Sequence, residues 1–387
     1  MHQSLERKIK VCHIAHRLTG KADGVFNHLK MIFDLVDKDK FEHILMYSGI
    51  DENINLTVRL MGVKVYNIPE MNKKIPLKLF FHLLKVLKNE NVDIIQAHLV
   101  KPYIISGLLN LFLNKKVIYN YHGIFIENDY YNSVEKLILR VIHSFISFLR
   151  LVNVVIVPSY GSKRKLELET RQFKKILVYY NGFRISSNSK SDENEKFIDF
   201  LRELKQKYFL VGIICRIDAK KRIDIALRVL QKLKKQQNDI FFLFVGDGEL
   251  IQNMREFSKS LQVDDRACFF GYLPEVRYYI QFFDLVLFTS EFEGFPLTIW
   301  ESMFNRVPIV SSDVGGIKEI LEGENCGVVY PFGDVETCVK IISDLYHNRE
   351  KLKQMGENGR RAIIEKYNEK QFKEFFEKLY TDLVYEK

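Results

Sequence analysis

LVLFTSEFEGFPLTIWES, residues 285–302, changes character across one loop. Leu285–Thr289 is a short apolar run with no helical spacing, as in a strand buried on both faces. From Pro296 onward the residues suit a helix, and Pro at the first helical position loses nothing, because its missing N–H would have no partner there. Gly294 lies just ahead, where the chain needs an unusual turn. A helix starting here aims unpaired amides and the positive end of its dipole beyond the strand's carboxyl end. That is an anion site, suited to a diphosphate. Glu293 falls in the loop and Glu301 in the second helical turn, eight positions on. At ~1.5 Å per residue this covers on the order of 10 Å, too far for two carboxylates to share a proton but right for two ends of one elongated ligand.

Outward from this stretch, short apolar runs alternate with amphipathic helical segments. Strand candidates are Lys10–Ala15, Glu42–Tyr47, Lys64–Ile68, Ile94–Ala97, Lys116–Tyr121, Val154–Pro158 and Ile176–Tyr180, then Phe209–Cys215, Ile240–Val245, Ala267–Phe270, Leu285–Thr289, Pro308–Ser311 and Gly327–Tyr330. Such alternation predicts parallel sheets covered by helices, and it runs through the chain twice. Between the runs, SSNSKSDENEK at 186–196 has no apolar residue and reads as a solvated linker. The expected organisation is α/β: a Rossmann-like domain at 1–185, the linker at 186–196, a second Rossmann-like domain at 197–367, and a helix at 368–387 returning to the first. Glu369–Tyr385 puts Phe372, Phe375, Phe376, Leu379 and Leu383 on one side. Two such domains are expected to face each other across a cleft, with ligands bound beyond the strands' carboxyl ends.

The 387 residues are 47% hydrophobic and 28% charged, with 20 Gly and 13% aromatic residues, which excludes a disordered, collagenous or coiled-coil chain. The longest apolar stretch, Leu137–Val152, is broken by Arg140, His143 and Arg150, so no membrane span is expected. Residues 1–185 hold 28 Lys and Arg against 16 Asp and Glu, whereas the rest hold 30 against 33. The whole basic excess behind the net charge of +9 therefore lies in the first half, and it suggests an anionic partner there. Five scattered cysteines form no C-x-x-C pair, against both a zinc site and a disulfide framework. The amino terminus has no export signal, so a cytoplasmic location is expected.

Absent motifs narrow the chemistry. Gly246-Asp247-Gly248 follows a strand, but Ile251 stands where a dinucleotide fingerprint has its third glycine. There is no G-x-x-x-x-G-K-[ST] and no H-E-x-x-H. Asp37-Lys38-Asp39 has the D-x-D spacing of some metal sites, but it follows the helix Val25–Val36 rather than a strand and reads as a solvated helix terminus. No metal or other cofactor is expected.

Glu293-Gly294-Phe295-Pro296 with Glu301 resembles the Glu-x7-Glu motif of the family 4 retaining glycosyltransferases, which have the two-domain GT-B fold. Asn181-Gly182-Phe183, Gly246-Asp247-Gly248 and Val314-Gly315-Gly316 fall where that family has loops. The resemblance implies a nucleotide-sugar donor held mainly by the second domain. Arg216 and Lys221 match its Arg-x4-Lys pair on the diphosphate, and the chemistry suits them: Arg offers a planar fork of donors, Lys a compact charge. It also implies that Glu301 binds the ribose hydroxyls and that the backbone of Phe295, Pro296, Leu297 and Thr298 faces sugar and phosphate. Glu293 contacts the sugar near the reacting centre, His122 is the active-site histidine, and the Gly24 amide approaches the donor. Three positions depart from the pattern: Asp23, Cys215 and Arg222 stand where glycines are usual.

The expected reaction is sugar transfer to an acceptor hydroxyl with retention of anomeric configuration. The acceptor is a saccharide or polyprenyl-phosphate-linked saccharide. The basic first domain suits an anionic membrane surface, through NKKIPLKLFFHLLKVLKN at 72–89 or through Val134–Val152, placing the enzyme at the inner face of the membrane. For residues 72–89 the alternative is an ordinary helix packed on its own sheet. A nucleotide-sugar epimerase on the same fold, a basic membrane- or nucleic-acid-binding protein without catalysis, and a silent partner subunit are the rival readings. No nucleic-acid module is present, and the aromatic residues lie at core-like spacing.

Overall fold

Each strand candidate forms a parallel strand whose ends fall within two residues of those expected. The computed structural model describes residues 7–16, 18, 24–49, 52–68, 77–121, 133–169, 175–180, 182–185, 195–237, 239–293 and 296–385. The chain forms two units, Met1–Arg184 with Glu369–Lys387, and Ile185–Asn368. Both are α/β with all-parallel sheets, the Rossmann-like domains expected from the sequence.

In the first unit β1 (Ile9–His16), β2 (Phe41–Ser48), β3 (Lys64–Asn67), β4 (Ile94–His98), β5 (Lys116–Asn120), β6 (Val154–Val157) and β7 (Ile176–Val178) are ordered β3-β2-β1-β4-β5-β6-β7. The inner strands β1, β2, β4, β5 and β6 are largely buried on both faces because helices cover both. On one face α3 (Leu77–Glu90), α4 (Val100–Leu113), α5 (Ser133–Phe148) and α6 (Tyr160–Glu169) supply Leu79, Leu83, Leu87, Tyr103, Leu109, Ile146 and Leu166 to a continuous apolar layer. On the other, α1 (Gly24–Leu35) and α2 (Glu52–Leu60) pack with α14 (Glu369–Tyr385), which adds Phe372, Phe376, Leu379 and Tyr380. Tyr179 stacks on Phe375 with ring centroids 3.9 Å apart. The α3 segment thus behaves as an ordinary packed helix: Leu79, Leu83 and Leu87 are buried and its lysines Lys78, Lys85 and Lys88 are exposed.

A polar thread runs through this core. His13 on β1 meets His43 on β2 at 3.0 Å and His98 on β4 at 3.3 Å. His28 on α1 meets Asn120, which accepts a bond from Gln96, and Gln96 accepts one from the Tyr380 hydroxyl on α14. Asp37 lies in the turn after α1, accepting from the Asp39 amide and pairing with Lys40.

The second unit comprises α7 (Glu195–Lys207), β8 (Phe209–Ile214), α8 (Ile223–Lys234), β9 (Ile240–Val245), α9 (Ile251–Ser260), β10 (Ala267–Gly271), β11 (Leu285–Phe288), α10 (Leu297–Phe304), β12 (Ile309–Ser312), α11 (Ile317–Gly323), β13 (Gly327–Tyr330), α12 (Val335–His347) and α13 (Arg349–Glu365). Its sheet runs β10-β9-β8-β11-β12-β13, so the order reverses between β8 and β11. Of the expected linker 186–196, residues 186–194 lie outside the described residues, and Glu195 and Lys196 already open α7. The cysteines are free thiols, with Cys12, Cys326 and Cys338 buried.

Candidate donor site

The reversal between β8 and β11 leaves adjacent strands whose following loops diverge, the place where open α/β sheets bind ligands. Arg216 and Lys221 follow β8, and Glu293 follows β11. The two loops are tied together. The Lys221 ammonium donates to Glu293 Oε1 at 2.6 Å, the Glu291 amide donates to the Lys220 carbonyl at 2.9 Å, and the Thr289 hydroxyl donates to the Lys221 carbonyl at 2.9 Å. Glu293 is buried, and the Ser290 hydroxyl donates to the same Oε1 at 2.6 Å. Ser290 is itself fixed, its carbonyl accepting from the Ser312 hydroxyl at 2.6 Å.

Asp218 organises the β8 loop and escaped the sequence reading. Its Oδ1 accepts from the Lys220 and Lys221 amides at 3.0 and 3.2 Å, capping the single 3-10 turn Ala219–Lys221. Its Oδ2 accepts from Arg216 Nε at 2.7 Å and Nη2 at 2.5 Å. The Arg216 side chain is nonetheless 75% exposed, so most of its fork faces outward. The available signal was an Asp placed to cap the turn that ends at Lys221.

Of the three departures from the family pattern, Arg222 has a local explanation. Arg222, where a glycine is usual, has φ 49° and ψ 49°, a left-handed conformation that glycine adopts without strain. The chain keeps the turn and holds the arginine by two bonds to Asp224, each 3.0 Å, with the guanidinium over the Phe332 ring. Gly246 has φ +140°, and a Cβ there would lie 1.9 Å from the Cys215 carbonyl oxygen; one on Gly248 would lie 2.2 Å from that of Ile217. These two glycines let the β9 loop support the Cys215–Ile217 segment, and the Ile217 amide donates to the Asp247 carbonyl at 2.9 Å. Close backbone approach, rather than a dinucleotide fingerprint, accounts for them.

Helix α10 begins at Leu297, one residue later than the sequence suggests. Pro296 is extended, φ −70° and ψ 134°, and occupies the N-cap with no side-chain capping bond. The amides of Leu297 and Thr298 therefore open the helix beside the Glu293 loop. Its inner side, Ile299, Trp300 and Met303, is buried, and Trp300 packs on Tyr367 at 4.7 Å. Glu301 is half-buried, and burial pushes its carboxyl up to about 7; Arg277 opposes the shift and Glu275 adds to it. Helix α13 permits the close seat of α10, because a Cβ on Gly356 would lie 2.1 Å from the Arg306 carbonyl oxygen.

In the first unit Gly24 is the first residue of α1, and a Cβ built there meets nothing within 4 Å. Neither packing nor a left-handed backbone demands glycine at that position. His122, Phe295, Gly294 and Asp23 lie outside the described residues. Among the described residues no group of three or more His, Cys, Asp or Glu is arranged to hold a metal ion, and no helix is long and apolar enough to cross a membrane.

Residues 22–186 match the family model Glycosyltransferase Family 4, and residues 194–362 match Glycosyl transferases group 1. The chain is 25% identical over 317 residues to the N-acetyl-alpha-D-glucosaminyl L-malate synthase of Bacillus anthracis, covering 78% of each. It is 23% identical to the Escherichia coli UDP-Gal:alpha-D-GlcNAc-diphosphoundecaprenol alpha-1,3-galactosyltransferase, covering 100% of each. Among solved structures, a glycosyltransferase from Rickettsia africae superposes with a TM-score of 0.80 at 16% identity, over 98% of this chain and 100% of that one. Anabaena Alr3699/HepE in complex with UDP superposes with a TM-score of 0.78 at 17% identity, over 97% of this chain and 100% of that one.

Proposed function

This chain belongs to the family 4 glycosyltransferases, and we propose that it moves a sugar, with retention, from a UDP- or GDP-linked donor to a hydroxyl of a lipid-linked saccharide in cell-surface polysaccharide or lipopolysaccharide synthesis. The observation that carries the donor assignment is the 2.6 Å Lys221–Glu293 contact joining the two loops at the sheet's reversal point. It places a cation and a carboxylate together beside the start of α10.

As the bond from the anomeric carbon to the diphosphate breaks, negative charge builds on the leaving oxygen. Arg216, Lys221 and the amides of Leu297 and Thr298 form a preorganised positive field for it, with no metal required. Asp218 holds Arg216 and caps the turn ending at Lys221, so little reorganisation accompanies charge development. The Lys221 ammonium has three N–H donors and gives one to Glu293. Glu293 then serves both to fix that ammonium and to contact the sugar. In a front-face transfer the acceptor hydroxyl gives its proton to the departing phosphate oxygen, and the new glycosidic bond forms on the face the phosphate leaves. Glu301 takes the ribose hydroxyls, while His122 and Gly24 keep the roles that the family motif implies.

The diphosphoundecaprenol in the name of the Escherichia coli relative supports a lipid-linked acceptor, and the UDP bound to Anabaena HepE supports a uridine donor. Both fit an enzyme working at the cytoplasmic face of a membrane. A thermal-shift screen of UDP, GDP and ADP, then of the matching nucleotide sugars, tests the donor: one base should stabilise the protein by several degrees. The anomeric coupling of the NMR-characterised product tests retention. Failure of every nucleotide to bind, or conversion of the donor into an epimeric nucleotide sugar with no acceptor present, would overturn the transferase assignment, the latter in favour of an epimerase.

A further inference from the structure

Helix α5 is apolar on two sides. Its inner side packs in the first unit through Ile146, with His143 buried beside it and bonded to Tyr103 at 2.7 Å. Its outer side leaves Leu137, Ile138, Val141, Phe145 and Phe148 between 46% and 68% exposed, and Leu149 after it 40%. Positions 137, 141, 145 and 148 follow the i, i+4, i+8, i+11 spacing of one helical stripe. A helix on the surface of a water-soluble domain would place polar residues there. The ridge extends across the same layer: α4, which packs on α5, exposes Leu111 and Phe112, and the Phe112 ring lies 5.8 Å from Phe80 of α3, beside exposed Phe81. Contiguous exposed apolar surface of this kind marks a contact with something apolar.

The charges around the ridge select the occupant. Among the described side chains, helices α3, α4 and α5 carry Lys78, Lys85, Lys88, Lys101 and Arg140 against Glu90, which is paired with Lys64 at 2.6 Å. A second copy meeting this face through a two-fold axis would set like charges against each other. A bilayer with anionic headgroups accepts both parts, with the cations at phosphate level and the apolar stripe at the acyl boundary.

We propose that the outer face of α5, with the end of α4, inserts into an anionic lipid surface, while the lysines of α3 supply electrostatic attraction beside it. The proposal rests on the lipid-linked acceptor reading and deepens it by naming the inserting element. Because the contact includes apolar burial, it should outlast the screening of charge by salt.

The test is flotation of the full chain with phosphatidylglycerol–phosphatidylcholine vesicles that contain no acceptor. Binding is expected at low salt and in part at ~0.5 M NaCl, and Phe145→Ser/Phe148→Ser should weaken it by at least ~10-fold. Phe148→Trp, a milder change, reports insertion directly: its emission should shift to the blue on adding vesicles and be quenched by brominated lipid, against the constant background of fully buried Trp300 in the other unit. No vesicle binding, undiminished binding by the double variant, or an unshifted emission from the Phe148→Trp variant overturns the proposal. So does a concentration-dependent dimer that the double variant dissolves. Incorporation of donor sugar into the organic extract of cell membranes separately tests the acceptor reading. Incorporation without flotation defeats only the inserting surface, and flotation without incorporation defeats only the acceptor.

Discussion

At the scale of single residues, the site is a set of cations held by carboxylates. Lys221→Ala removes one positive end of the proposed diphosphate field, while the loop keeps the bonds made by the Lys220 and Lys221 carbonyls. We expect kcat/KM to fall about 10²–10³-fold with the fold intact by circular dichroism. Glu293→Gln retains an acceptor for Ser290 but loses the charge facing Lys221, and turnover should drop at least ~10²-fold; unchanged turnover would remove Glu293 from the chemistry. Glu301 gives a pH test of its ribose role. Its carboxyl, raised to about 7 by burial, is largely protonated at pH 6 and largely ionised at pH 8. The ionised form is a charged, acceptor-only partner for two hydroxyls, whereas the protonated form turns one oxygen into a donor. Donor KM should therefore fall by up to ~10-fold between those pH values. Glu301→Gln should abolish that dependence; a profile identical to the parent's would assign the titration to another group.

At the scale of elements, strands were legible and their support was not. Apolar runs such as Phe209–Cys215 and Ile240–Val245 read directly because a strand buried on both faces needs nothing but apolar residues. The Glu293–Glu301 stretch was legible for a similar reason: loop, proline and helix start are local. Gly356 was not, because its meaning depends on Arg306, fifty positions earlier in the chain. A glycine inside a helix costs about 1 kcal/mol relative to Ala, which is itself a sign that packing requires it. Here it lets α13 approach the end of α10 until backbone meets backbone. Gly356→Ala would drive a Cβ into the Arg306 carbonyl, and carbonyls cannot rotate away as side chains do. The expected cost is about 1–3 kcal/mol of stability, read as a lower urea midpoint. Weaker nucleotide binding should accompany it, because α10 carries both Thr298 and Glu301. Unchanged stability would mean that α13 can shift without cost and that the contact does not set the position of α10.

At the scale of the molecule, the charge asymmetry in the sequence has a counterpart in the histidines. Nine of the ten precede residue 185, and only His347 lies in the second unit, where it is exposed. That division was countable from the sequence, but the cluster was not, since His13, His43 and His98 become neighbours only through the order β2-β1-β4. Burial holds His13 well below the ordinary imidazole range, aided by His43 and His28; it holds His43 at about 3, aided by Lys38, and His143 at about 4. All three are therefore neutral in the folded first unit at pH 7. The unfolded chain takes up protons on these groups below about pH 6.5, whereas the folded unit resists. Their contribution is thus full above about 6.5 and is lost as pH falls toward the folded values. At pH 5 His43 and His143 each favour unfolding by about 2 kcal/mol relative to pH 7.5, and His13 acts in the same direction. Hydrogen exchange, corrected for the intrinsic effect of pH, should show β1, β2 and β4 losing protection at pH 5 while β8, β9 and β11 keep theirs. Equal loss in both sheets would assign acid sensitivity to the overall charge rather than to the histidine thread, and retained protection in β1 would show that the thread accommodates protons without opening the core.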